Sequence, residues 1–292
     1  MIGQAAAEIE VIVIGSDFVP IVFGLASAAC WGTGDFSGGL ATKRTNVYAV
    51  IIASQIVGAI LLVISALAFG EPMPSSDQPP WGVLAGLAGA VGLIGLYRAL
   101  ALGRMSVAAP VSAVITAIVP VVVGAFVEGL PDAPQRIGFG LALIGIWLVS
   151  RTEGMRVRIG DLRLPIVAGL GFGFFLVFIG QVSDAAVLWP LVAARAASLA
   201  LMIVVATLAR RPRLPEMRAL PLIALAGAMD AGGNAFFALA AQAGRLDVAA
   251  VLASLYPATT VWLAWLILKE RIARPQVFGI VVTLAAIALI VT

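Results

Sequence analysis

Few side chains in this sequence can do chemistry, and those that can recur at helical intervals inside apolar text. Asp230, Asn234 and Phe237 stand at i, i+4 and i+7 and so share one helix face. Ser27, Trp31 and Asp35 stand at i, i+4 and i+8 in the same way. An ionisable group in the middle of an apolar segment is costly and points to function by default. Asp230 therefore has two readings. It is a ligand for a substrate ammonium or a carrier of protons, or it is the buried partner of Arg195, which stands at similar depth one segment earlier. The two are compatible, because such a pair can open. Asp35 lies two turns from Lys43, at the depth of Arg98, and reads as a gate or static ion pair. Trp31 suits stacking on an aromatic or cationic ligand, with plain packing as the competing reading.

Hydroxyls gather around prolines in two places. Ser112 and Thr116 share a face between Pro110 and Pro120, and Ser254, Tyr256 and Thr260 surround Pro257. Such groups either coordinate a solute or tie helices together. Phe174, Phe178 and Gln181 share a face, and Tyr97 is a further aromatic candidate; packing competes with binding for all four. Gly86, Gly89, Gly92 and Gly95 form a small-residue stripe, read as a surface for close helix contact and not as a site.

The elements that must position these groups follow from composition. Of 292 residues, 62% are hydrophobic and only 11% charged, too apolar for a soluble surface. There is no His and one Cys, Cys30, which argues against a zinc site, a Cys/His nucleophile or an internal disulfide. The net charge of +3 is loop charge and not a nucleic-acid footprint. No phosphate-binding Gly-x-x-x-x-Gly-Lys-Ser/Thr loop is present, so an ATP-driven pump is disfavoured. No enzyme activity, metal or cofactor is expected. Met1–Asp17 holds Glu8, Glu10 and Asp17 without Lys or Arg, unlike a signal peptide.

A membrane helix needs about 20 apolar residues. Ten such segments are expected, at 19–41, 46–69, 81–102, 106–127, 135–150, 164–182, 187–209, 219–242, 246–268 and 275–291. Most Lys and Arg fall on one set of ends, including Lys43, Arg44, Arg104, Arg151, Arg210, Arg211 and Lys269; the opposite set holds Arg136 and Arg245. The crowded side is expected to be cytoplasmic and both termini periplasmic.

The chain also repeats itself. Gly103-Arg104-Met105-Ser106-Val107-Ala108-Ala109 matches Gly244-Arg245-Leu246-Asp247-Val248-Ala249-Ala250 at an offset of 141, and Pro20–Leu25 matches Pro165–Leu170 at 145. Five helices per half is an odd number, so the second half enters the membrane upside down. The division expected is 1–18 as an N-terminal lead, 19–150 as the first five-helix repeat and 164–291 as the second, inverted one. Inverted halves can exchange conformations around a midplane site, the basis of alternating access.

Cys30-Trp31-Gly32-Thr33-Gly34-Asp35-Phe36, Gly103-Arg104 leading into Val107-Ala108-Ala109-Pro110, and Ser254-Leu255-Tyr256-Pro257 followed by Leu268-Lys269-Glu270-Arg271 carry a family resemblance. Over nearly its whole length the chain resembles the drug/metabolite transporter superfamily in its EamA-type branch. In the first half Thr116 stands where the repeat places Pro257, so the bends of helices four and nine are expected to differ. The resemblance implies an all-α polytopic membrane protein of the bacterial inner membrane, and export of amino acids, other metabolites or toxic compounds. Its size and short loops look most like exporters that include the YddG-type aromatic amino acid exporters. Import, exchange of a sugar derivative and multidrug export are the alternatives. The partners implied are a small-molecule substrate, the lipid bilayer and a proton as candidate coupling ion, in a monomer or weak homodimer. A sensor or scaffold would call for long loops or an appended domain.

Overall fold

The computed structural model describes residues 2–74, 80–101, 105–127, 129–149, 162–181, 186–211, 214–269 and 274–291. Among the described residues every regular element is helical. In chain order they are α1 (Ile2–Thr42), α2 (Val47–Ala68), α3 (Trp81–Ala101), α4 (Met105–Val127), α5 (Ala133–Val149) and α6 (Arg163–Gly180). There follow α7 (Leu188–Leu208), α8 (Leu220–Ala243), α9 (Leu246–Ala253), α10 (Tyr256–Leu268) and α11 (Arg274–Val291). The spans Val47–Ala68, Arg163–Gly180, Leu188–Leu208, Met217–Ala243 and Leu246–Leu268 are long and apolar enough to cross a membrane. Trp81–Leu96, Val111–Val127, Ala133–Leu148 and Arg274–Ile287 are shorter apolar helices. With no water in hydrocarbon to hydrogen-bond the backbone, apolar text of this kind must close its bonds within a helix.

Two elements differ from the expected segments. The first helix begins at Ile2, ahead of residue 19, and passes through Pro20 without ending. The segment 246–268 is two helices, α9 and α10, joined at Ser254 and Leu255. Pro257, in the first turn of α10, has no N–H for the preceding turn, so the ladder is interrupted there. By contrast α4 runs unbroken through Pro110 and Pro120. The expected difference between the two bends is therefore present.

Small residues set the helix contacts. Gly82 lies on the Pro190 carbonyl and Gly86 on the Ala194 carbonyl, so α3 runs alongside α7 in the same direction. Gly89 meets Phe175, Gly92 meets Phe172 and Gly95 meets Ala168, so α3 runs opposite to α6. The glycine stripe of α3 is thus a packing surface. On α1, Ser27 donates to the Gly233 carbonyl and Gly34 lies against the Ala226 carbonyl, which makes α1 antiparallel to α8. Buried alanines dominate both main clusters, which bring α6, α8 and α9 together, and α4, α5 and α9.

Capping fixes one further pairing. Gly70, at φ 64°, turns the chain after α2, and the Glu71 N–H bonds back to the Ala66 carbonyl at 2.9 Å. Glu71 then reaches the start of α7, where no local side chain serves as a cap. Its carboxylate accepts from the N–H groups of Val187 (3.1 Å), Leu188 (2.8 Å) and Trp189 (2.9 Å). An anion suits a helix N-terminus, where N–H groups are unpaired and the dipole is positive. The end of α2 therefore meets the start of α7, and the two helices run antiparallel.

Candidate functional site

The α1–α8 contact brings the two helical faces of the sequence together. Any side chain at position 233 would collide with the Trp31 indole, and one at Gly34 would come within 3.4 Å of the Asp230 backbone nitrogen. This close approach lets the Trp31 indole N–H donate to Asn234 Oδ1 at 3.0 Å. Trp31 also stacks on Phe237, with centroids 5.9 Å apart and planes at 28°. Asn234 is buried and Phe237 fully so. The Asp230–Asn234–Phe237 face is thus turned onto α1, with its aromatic and amide members already partnered.

Asp230 forms an ion pair with Arg195 of α7. The guanidinium side is the protected one: the Arg195 side chain is 10% exposed and that of Asp230 44%. Arg195 also donates to Gln55 Oε1 at 3.5 Å, and the Gln55 amide donates to Ser198 Oγ at 2.9 Å. The arginine is held from behind by neutral groups while its carboxylate partner is partly exposed. Asp35 is exposed as well, although it lies well inside an apolar helix. Its carboxylate lies near that of Asp230 and near the Tyr256 phenol. Exposed carboxylates at such depth need water or a polar guest.

The other candidates are placed as follows. Thr116 donates to the Ser112 carbonyl at 2.8 Å, and the buried Ser112 hydroxyl has no hydrogen-bond partner. Ser254, at the break between α9 and α10, is fully buried with its hydroxyl likewise unpartnered. Thr260 donates to the Gly32 carbonyl at 3.1 Å and so ties α10 to α1. Phe174 is 42% exposed and stacks on Phe178, which stacks on Trp81. Phe174 and Phe178 border a separate apolar groove of about 420 Å³, with Ala88, Val91, Val167 and Leu170. Gln181 is exposed at the end of α6. The side chains of Tyr97 and Arg98 lie outside the described residues.

Sequence reasoning overlooked Gln55, Ser198, Glu71 and Asp247. A lone glutamine in the apolar text of α2 was a usable signal for Gln55. Nothing local marks the partners of Gln55, Ser198 and Glu71, whereas that of Asp247 is Arg245, two residues before it.

Described residues that form helices alone, five of the spans being long and apolar enough to cross a membrane, define a polytopic membrane protein. The particular family is shown by comparison with known proteins. The EamA-like transporter family matches twice, over residues 19–151 and 159–292, and the chain belongs to it. That family points to a membrane transporter of small solutes and not to an enzyme. An uncharacterized protein of Methanocaldococcus jannaschii is 30% identical over 132 residues, which is 44% of this chain and 95% of that protein. A solved crystal structure shares the fold with a TM-score of 0.76, at 16% identity, over 92% of this chain and 95% of that one.

Proposed function

We propose that this protein is a secondary transporter that exports small amphipathic organic solutes by alternating access, with amino acids bearing aromatic or other apolar side chains foremost. The observation that carries the reading is the half-open Asp230–Arg195 pair beside Asp35 and Trp31. A zwitterion inserted there exchanges one ion pair for two: its ammonium meets Asp230 or Asp35, and its carboxylate meets Arg195. Tyr256 and Trp31 supply aromatic surface for the remainder. Cavity sites of this kind pair apolar walls with a few orienting polar groups.

The proposed architecture is ten spans in two inverted five-helix repeats, 19–150 and 164–291, after a lead of residues 1–18. Three observations support it. The family matches once in each half. The relative from M. jannaschii has about the length of one half. Counterpart helices meet end to start, α2 with α7 through Glu71 and α4 with α9 through Gly124 and Asp247. The proposed setting is a bacterial inner membrane with both termini periplasmic. The loops support this orientation: Arg44 and Thr45 contact Arg218 and Glu216 at the arginine-rich end, and Glu71 sits at the other. A proton on Asp35 or Asp230 is the proposed coupling ion, in a monomer or weak homodimer. Multidrug export is a second reading, favoured by a second carboxylate, Asp35, near the Asp230–Arg195 pair.

Proteoliposomes loaded with radiolabelled amino acids, or with an organic cation such as tetraphenylphosphonium, test both readings. Saturable counterflow of an aromatic amino acid, abolished by Asp230→Asn and by Arg195→Gln, is expected. Flux of the cation alone, lost in Asp230→Asn and retained in Arg195→Gln, would select the second reading. Absence of saturable flux for either solute would reject both.

A further inference from the structure

The turn between α8 and α9 gathers the ends of α4 and α6 and the Pro20 turn of α1 around a buried charge. Asp247, in the first turn of α9, is wholly buried. Arg245 chelates it, with Nε 3.1 Å from Oδ1 and Nη2 2.8 Å from Oδ2. The same Nη2 donates to the Gly129 carbonyl at 2.8 Å, in the loop that follows α4. The Val248 N–H donates to Asp247 Oδ1 at 2.8 Å. A Cβ at Gly124, near the end of α4, would stand 3.3 Å from the Asp247 Cβ. Leu246 covers Gly180 at the end of α6, and Gly244 rests on the Pro20 ring of α1.

We propose that Arg245 and Asp247 are a latch that holds this end of the bundle shut and must be broken for a solute path to open there. The inference rests on the alternating-access reading above. Opening at this end parts α4 from α9, because these two meet here. The parting strips Arg245 of the Gly129 carbonyl and admits water to Asp247. Asp247, two residues away on the same turn, keeps Arg245 aimed at that carbonyl, so the Gly129 bond and the packing on Gly124 are lost in one step. The contact is thereby all-or-none, as a two-state gate requires. The sequence carries the carboxylate in one copy of the motif only: Gly103-Arg104-Met105-Ser106 has a hydroxyl where Gly244-Arg245-Leu246-Asp247 has an acid. The latch therefore biases the resting molecule toward closure at the Gly129 end.

The test is a distance measurement on the full chain in lipid nanodiscs. Spin labels go on Phe126→Cys and Ala243→Cys, both exposed at this end, in a Cys30→Ser background. One short-distance population is expected with the native latch. Asp247→Asn and Asp247→Ser are expected to raise the long-distance population about tenfold. Arg245→Lys keeps the charge but loses the chelate, and falls between. If Asp247→Asn does not fold, Arg245→Lys and Arg245→Gln carry the test. Folded variants whose distances match the native ones overturn the latch. Distances that lengthen with solute flux unchanged uphold the latch and count against the transport reading beneath it.

Discussion

The Asp230–Arg195 pair is open to a quantitative test by a double-mutant cycle. Asp230→Asn leaves Arg195, whose side chain is 10% exposed, with only the 3.5 Å contact to Gln55. Removing one partner of a fully buried pair costs about 3–5 kcal/mol. Here the Asp230 side chain is 44% exposed and partly screened, so the expectation falls to about 1–2 kcal/mol. Arg195→Gln is expected to cost less, since it leaves a carboxylate that water can still reach. The double variant Asp230→Asn, Arg195→Gln is then expected to be less destabilised than the sum of the singles, with a coupling of about 1–2 kcal/mol. Unfolding in mixed micelles, followed by tryptophan fluorescence, supplies the stabilities, and counterflow in proteoliposomes supplies the activity. The double variant recovers stability but not transport, because the charges that meet the zwitterion are gone. Strict additivity of the two substitutions, or a double variant that transports normally, would refute the reasoning.

Other perturbations separate architecture from chemistry. Glu71→Ala removes the shared cap of α7 and is expected to cost about 1–2 kcal/mol, with faster hydrogen exchange at Val187, Leu188 and Trp189; Glu71→Gln retains part of the effect. Trp31→Phe keeps the stack on Phe237 but strips Asn234 of its donor, an expected loss of about 1 kcal/mol by the same unfolding assay. Gly233→Leu drives a side chain into the Trp31 indole, so disulfide trapping between α1 and α8 is expected to fail and solute flux with it. Cysteines at Phe69 and at Arg44 are expected to react with impermeant maleimide from opposite faces of the membrane. Labelling of both from one face would overturn the proposed orientation.

The site was legible in the sequence to the extent that it lies along single helices. The i, i+4, i+7 spacing put Asp230, Asn234 and Phe237 on one face, and that face does meet the one carrying Ser27 and Trp31. Arg195 was named as the partner of Asp230 from depth alone, and the pair forms. Depth ranks groups along the membrane normal but says nothing of direction around a helix. Gln55 behind Arg195 and Glu71 on α7 therefore went unseen. Phe174 and Phe178 illustrate the same limit, since their shared face opens on a groove between α3 and α6.

Apolar text by itself determined that the chain is helical and membrane-spanning, because lipid offers the backbone no other partner and a span of that length needs no tertiary help. The repeated Gly-Arg motif likewise marks two related halves. Which helix lies against which was decided only by tertiary structure. A helix that is apolar all round has no hydrophobic stripe to declare its inner face. The choice falls instead to close contacts of glycine with distant carbonyls and rings, as at Gly86 and Gly233, and to the need of each buried charge for a counter-charge. Those are relations between residues far apart in the chain, and they exist only once it has folded.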